Sequence, residues 1–453
     1  MNTLLFFDDW FLESYRDLER CWPAAEPVAW PGGKCALPAR AAIVLDAGRK
    51  TFLAWAKALG ATDASLYASA DGLAWRPTGQ RLPVPKYQNF PFETGWFYDA
   101  WDRDPKRRFK MVGFPHERGI EGGPGLLACS ADGATWRWRR RFPWFARANG
   151  SDTHNNIFYN PLTKRWCVIC RRYNTDRRVA MVESENLRDW TEPEVLVHPD
   201  AADPPVMQIY GMAGAVYEAE YFVGAIQCYH VPMDDRFAWL PRIKMQGAVD
   251  GQLVYSYDGR HWLRSNRSTL VPRSEPGEPG SACVYPHAII PHPDPRQGVF
   301  IYSLGTSVDH GGQAGTDGQP APPECPVLHR LRYDGFVFLR ARGGQGELTT
   351  RTLVPRAPAL TMNFLGPVGE VRVQVTTPAQ EPIPGYAFAD CRPLRGDEIA
   401  APVRWKGKTD LAELVGQPIR LQVRLADARL YALRLDCGLW YTNTPKPINH
   451  LGV

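Results

Sequence analysis

Two short runs of alternating apolar residues, Ala41 to Leu45 and Thr51 to Trp55, flank a polar turn at Asp46 to Lys50, and this pattern predicts a β-hairpin. The same arrangement recurs at Trp96 to Trp101 with Phe109 to Val112, and at Asn156 to Tyr159 with Arg165 to Cys170. It recurs again at Ala213 to Tyr217 with Tyr221 to Ile226, and at His287 to Ile290 with Val299 to Tyr302. Behind the hairpins stands a tag of the form Ser-x-Asp-Gly-x-x-Trp: Ser69 to Trp75, Ser130 to Trp136 and Ser256 to Trp262, with a looser copy at Ser184 to Trp190. The tag serines are 61, 54 and 72 residues apart, and a degraded fifth copy stands at Arg332-Tyr333-Asp334-Gly335-Phe336. In each tag Asp-Gly predicts a tight turn with the glycine at positive φ, and the tryptophan opens the next strand as a packing peg. A hairpin, a third strand ending in Ser, a turn and a fourth strand opening with Trp make one unit. Five such units at a spacing of roughly 50–80 residues predict an all-β fold, a five-bladed β-propeller.

Beyond about Gly343 the tags stop. Leu348 to Leu353, Val371 to Val375, Ile419 to Leu425 and Leu430 to Leu435 alternate without them and predict a C-terminal β-sandwich. The expected division is therefore a propeller over 1–342, with residues 1–35 leading into its first blade, and a sandwich over 343–453, joined at the flexible stretch 343–347.

Composition removes several other classes. The 453 residues are 44% hydrophobic and 22% charged, with 40 Gly and 41 Pro, which excludes a helical bundle, a coiled coil and a disordered chain. Net charge is +5, and Arg137, Arg139, Arg140 and Arg141 form the one dense basic cluster, so no nucleic-acid partner is expected. No apolar run reaches the length of about 18 residues needed to span a membrane. Asp8 and Asp9 interrupt the first ten residues before a signal peptide could form, so a cytoplasmic location is expected unless a leader has been trimmed. Ten cysteines are spread through the chain, and Cys167 and Cys170 fall on opposite faces of one predicted strand, which argues against a zinc or redox pair. The 16 Trp and 18 Tyr suit pegs between sheets, and suit stacking on sugar rings as well.

The hairpin Asp104-Pro105-Lys106-Arg107-Arg108-Phe109-Lys110-Met111, the Ser-x-Asp-Gly-x-x-Trp tags and the Glu183-Ser184 to Trp190 tag before a Pro-Glu strand resemble the five-bladed propeller glycoside hydrolases, a group that includes families 32, 43, 117 and 130. A propeller followed by a sandwich looks most like family 32, and Arg395-Gly396-Asp397 with Arg404-Trp405-Lys406-Gly407 resembles the C-terminal domain of its relatives. The resemblance implies a hydrolase acting on a small glycoside or an oligosaccharide end. Three family-32 hallmarks depart from the pattern. Only Asp8-Asp9-Trp10 stands where Asn-Asp-Pro-Asn-Gly is expected. Arg103-Asp104-Pro105 lies in a hairpin turn, and Glu324-Cys325-Pro326 follows the fifth hairpin, whereas the family places that motif in the third blade.

Propeller ligands bind where the innermost strands begin. That rule selects Arg40, Glu93, the polar run Ser151-Asp152-Thr153-His154-Asn155-Asn156, Tyr210-Gly211 and Tyr285-Pro286-His287. Glycoside hydrolysis needs two carboxyl groups, so Asp152, Glu93 and Asp9 are the catalytic candidates. Arg40, Trp96, His154, Asn155, Tyr210, His287 and His310 are the substrate-binding candidates. Each acid has a structural alternative, each His the alternative of a buried hydrogen-bonded ring, and the polar run that of capping strand ends. The histidines are too dispersed to predict a metal, and no cofactor is expected. A carbohydrate is the expected partner, cleaved by a hydrolase or held by a non-catalytic sugar-binding propeller.

Overall fold

In the computed structural model of the chain, which describes residues 2–58, 61–83, 94–113, 125–142, 153–173, 176–231, 246–310 and 324–440, the repeats form five four-stranded antiparallel meanders. Blade one comprises Arg40–Asp46, Thr51–Lys57, Asp63–Ser69 and Arg76–Pro83. Blade two comprises Gly95–Tyr98, Phe109–Gly113, Gly125–Ser130 and Trp136–Phe142. Blade three comprises Asn156–Asn160, Arg165–Tyr173, Arg177–Ser184 and Glu194–Val197. Blade four comprises Gln208–Tyr217, Tyr221–His230, Ala248–Ser256 and Thr269–Val271. Blade five holds Cys283–Pro291, Val299–Thr306 and Cys325–Leu331, and its fourth strand is Glu26–Pro27, supplied from before blade one. The first strand of each blade packs beside that of the next, and the fifth returns to the first, so the ring is closed. Radial repetition of this kind leaves only short edges, on the outermost strands of the blades.

The tag turns hold this ring together. Asp71 accepts the Ser69 hydroxyl and the amides of Leu73 and Ala74; Asp132 and Asp258 do the same in blades two and four. Gly72, Gly133 and Gly259 follow at φ of 73°, 75° and 76°. Each turn is also grasped by the preceding blade: Tyr302 donates to the Gly72 carbonyl at 2.9 Å, Trp55 to that of Gly133 at 2.9 Å, and Asn160 to that of Asp258 at 2.8 Å. Apolar clusters fill the junctions between adjacent blades. Trp75 and Trp262 are buried in two of these clusters, while Trp136 and Trp190 sit half-buried at the margins of two others. Cys167 and Cys170 point into different junctions, as opposite faces of one strand must. None of the ten cysteines is in a disulfide.

The tag carboxylates make the ring sensitive to acid. Partial burial pushes the Asp258 pKa up, but the amide and ring of His261, the Arg260 amide and the Ser256 hydroxyl outweigh it and draw it down to about 2. Asp71 and Asp132 are lowered by the same kind of contacts against the same burial. An unfolded Asp titrates near about 3.9, so these groups contribute fully above about pH 5 and lose their contribution as pH falls from about 4 toward 2. Urea midpoints measured from pH 5 down to 2.5 are expected to fall, with Asp258→Asn removing part of the slope. A midpoint that does not move with pH would contradict this account.

The expected domain division needs correction. The chain separates into residues 24–332 and a second unit of residues 1–23 with 333–453. The first residues are sandwich strands: Thr3–Leu5 pairs with Arg429–Leu439, Leu12–Arg16 with Gln345–Thr350, and Leu18–Cys21 with Phe338–Ala341. Short strands of this kind take their identity from distant partners, which local pattern cannot reveal. Gly343 and Gly344, read as a joint, form the turn between two sandwich strands. The fifth tag belongs to this unit too, where Asp334 is buried and bonded to Arg434 and Asn363.

The sandwich is organised by Leu353–Thr376, a continuous strand of 24 residues. Its first half pairs with Arg429–Leu439 and its second half with Arg420–Ala426, and its pairing with Leu394–Pro402 shifts register between Gly366 and Val371. Val371, Val373 and Val375 alternate inward against Leu421, Val423 and Leu425, all fully buried.

Candidate functional site

A channel of about 190 Å³ runs among the first strands of the propeller. Its apolar wall includes Val44, Phe97, Phe158, Val216 and Ile290, and its polar wall is Thr94, His154, Asn156 and His287. All four polar residues are at least nine-tenths buried. The rings of His154 and His287 lie 5.6 Å apart. Burial, and secondarily the neighbouring His154, holds His287 well below the usual imidazole range, so it is neutral at physiological pH. The Asn156 amide faces Gly214 of the next blade, oriented to donate to its carbonyl at 3.3 Å and accept its N–H at 2.9 Å. Asn155 is fully buried and donates to the Thr153 carbonyl at 2.9 Å.

Where blades three, four and five meet, further buried polar groups converge. Gln227 donates to the Pro286 carbonyl at 2.8 Å while its Oε1 has no hydrogen-bond partner among the described residues, although the residue is only 1% exposed. Gly211 is required here: a Cβ would lie 2.8 Å from that oxygen and 2.9 Å from the Thr153 hydroxyl. Tyr210 beside it lies under the Arg171 guanidinium at 4.7 Å and the Arg177 guanidinium at 5.5 Å. His310 meets the Tyr210 ring at 4.5 Å and its Nδ1 is 2.9 Å from the Tyr285 hydroxyl. Burial first, then the positive charges of Arg177 and Arg171, push His310 down to about 4, so it is also neutral near pH 7.

The sequence-selected residues thus divide. His154 and His287 line the channel. Tyr210 and His310 form an aromatic group with Tyr285 and Tyr229. Tyr210 and His287 are not at strand starts as expected; their strands begin earlier, at Gln208 and Cys283, and β-bulges at Ile209/Met212 and Pro286/Ala288 re-aim the side chains between. Trp96 borders the channel, and its indole packs against Trp136 and Phe109. Arg40 is held by Glu324 in a bidentate pair at 2.7 and 2.8 Å, which gives the Glu324-Cys325-Pro326 segment a structural task. Asp9 belongs to the other unit, in an exposed turn where Arg20 binds it, because the segment that carries it is committed to the sandwich. Glu93 and Asp152 lie outside the described residues.

Thr94, Gln227, Arg171 and Arg177 were not selected from sequence. Gln227 carried a signal in being a polar residue inside the otherwise apolar run Phe222 to Cys228. Among the described residues no three His, Cys, Asp or Glu side chains gather as metal ligands would.

No protein-family model matches this chain, and no curated protein does. Solved structures similar to it include the exo-β-1,3-galactanase from Phanerochaete chrysosporium with galactose, at 9% identity and a TM-score of 0.41 over 92% of this chain and 100% of that one. A thermostable family-43 glycoside hydrolase is similar at 10% identity and 0.44, over 70% and 96%. An N-acetylgalactosamine deacetylase from F. plautii, in complex with blood group B trisaccharide, is similar at 13% and 0.43, over 74% and 96%. At these values the likeness adds nothing to what strand order already establishes.

Proposed function

We propose that the protein is a carbohydrate-active propeller whose axial channel takes the end of a small glycoside or oligosaccharide and hydrolyses its glycosidic bond with paired carboxyl groups. The observation that carries this reading is the set of buried polar side chains, Thr94, His154, Asn156 and His287, on a channel of about 190 Å³ with otherwise apolar walls. Sugar hydroxyls offer both donors and acceptors, which side chains of this kind can engage. Neutral imidazoles at His287 and His310 suit that task, since each ring presents one donor and one acceptor. Glu93 and Asp152, the acids selected from the sequence, are assigned as the pair, one as proton donor and the other as base or nucleophile. The family-32 likeness belongs to this proposal and places furanosides first among substrates to test.

A second reading is favoured by one observation: among the described residues that line the channel none is acidic. It makes the protein a sugar binder without turnover. A panel of aryl arabinofuranosides, fructofuranosides and then pyranosides, assayed for sugar release and by calorimetric titration, separates the two. Release supports the hydrolase, and His154→Ala is then expected to weaken binding about tenfold. Binding without release supports the second reading, and neither release nor binding defeats both.

A further inference from the structure

The repeats permit a comparison within the molecule, and one junction stands apart. Opposite each tag serine, the second strand places an aromatic residue: Phe52 opposite Ser69, Phe109 opposite Ser130, Phe222 opposite Ser256, and Trp166 opposite Ser184. The three phenylalanines are buried, whereas Trp166 is partly exposed. The same blade breaks the tag. Where the others have glycine, blade three has Leu187 at φ 59°, a left-handed conformation that strains a residue with a side chain. At two of the other tags a side chain would collide with the preceding blade: a Cβ on Gly72 would lie 2.6 Å from the Tyr302 hydroxyl, and one on Gly259 2.8 Å from Asn160 Nδ2. Leu187 instead inserts its side chain among Val112 and Leu127 of blade two.

Beside this wedge opens a groove of about 570 Å³, lined by Arg107, Trp166, Glu185, Asn186, Leu187 and Arg188. Trp166 is fixed there by its neighbours, with the Tyr159 ring tilted against it at 5.3 Å. Its Nε1 donates to the buried Asp99 carboxylate at 2.7 Å, and Lys110 Nζ stands 5.5 Å from the ring centroid. From this coincidence of a strained wedge, an anchored indole and a groove at a single junction, we infer that the boundary of blades two and three is a second binding site, separate from the axial channel, for a pyranose unit of a glycan.

The lining selects that ligand class. A pyranose offers a C–H face to a fixed indole, and its equatorial hydroxyls can meet the exposed Arg188 guanidinium and the lone pairs that Glu185 keeps beside its ion pair with Arg165 at 2.6 Å, while Arg107 is held by Asp102 at 2.8 Å. The groove falls within the range of about 300–1,000 Å³ typical of small-ligand sites, while its mixed charge and one aromatic ring suit a lipid or an apolar helix poorly. The site does not depend on whether the channel hydrolyses anything.

Affinity gel electrophoresis of the full chain through soluble galactan, xylan, arabinan and mixed-linkage β-glucan tests this. Wild type is expected to be retarded by at least one of them. Trp166→Phe, which installs the residue of the other blades, is expected to weaken that retardation at least about tenfold, and Arg188→Ala, an exposed position that spares the fold, about fivefold. Release of sugar from a small aryl glycoside in the channel should be the same in both variants as in wild type. Retardation of wild type by none of the polysaccharides, or retardation unchanged in Arg188→Ala and in folded Trp166→Phe, would overturn the assignment. Such an outcome leaves the channel's own turnover and calorimetry as a separate question.

Discussion

Asp152→Asn is expected to lower turnover of any glycoside the protein hydrolyses by at least about 10³-fold while changing its Kd less than about tenfold. Asparagine keeps the shape of the side chain and can still hydrogen-bond a hydroxyl, but it neither gives up nor takes a proton at any working pH. The polar side chains that line the channel, Thr94, His154, Asn156 and His287, are left untouched by the substitution. Glu93→Gln is expected to act in the same direction, and the double variant should fall no further than the more damaging single change, because both groups serve one bond-breaking event. Steady-state kinetics beside calorimetric titration distinguishes lost chemistry from lost binding. Turnover that survives both substitutions together would remove the paired-carboxyl mechanism and leave the propeller intact.

Lys110→Met is expected to destabilise the protein by about 3–5 kcal/mol. Lys110 is completely buried in blade two, with Nζ 2.7 Å from Asp99 and 2.9 Å from Asp102, themselves buried. Asp102 is pushed up by burial, yet the Lys110 hydrogen bond, the Asp104 amide and the Arg107 guanidinium outweigh this and leave its pKa lowered. Without the ammonium, two carboxylates face each other in a poorly solvated hairpin that also anchors Trp166. Adding Asp99→Asn to Lys110→Met should recover part of the loss, since it removes one of the uncompensated charges. Denaturant midpoints of the single and double variants measure both effects, and equal midpoints for Lys110→Met and wild type would show that the cluster is better hydrated than its burial implies.

The propeller was legible where its information is local. Ser-x-Asp-Gly-x-x-Trp encodes a carboxylate, the amides it accepts and a left-handed glycine within a few residues, so the tags located four blades without knowledge of their partners. Glu26–Pro27 and the strands ending at Cys21 were illegible for the opposite reason: two to five residues have no periodicity to read, and only pairing with Arg330 or Phe338 makes them strands. Asp9 was misplaced through the same blindness, because its segment was assumed to lead into blade one. At the site, the Thr153-His154-Asn155-Asn156 run announced itself by polarity ahead of an apolar strand. The re-aiming of Tyr210 and His287 did not, since the bulges depend on register with the neighbouring strand.

The two-residue strand that completes blade five sets an order of events during synthesis. Trp30 donates to the carbonyl of Pro326, 296 residues further on, and Val28 to that of Leu328. A ribosome must therefore deliver almost the whole propeller before its seam can be sewn, and until then the nascent ring offers one bare edge at each end. The sandwich waits longer still, since Thr3–Leu5 has its partner in Arg429–Leu439. Contacts this distant slow folding and leave partly made chains with unpaired edges until the last partners arrive.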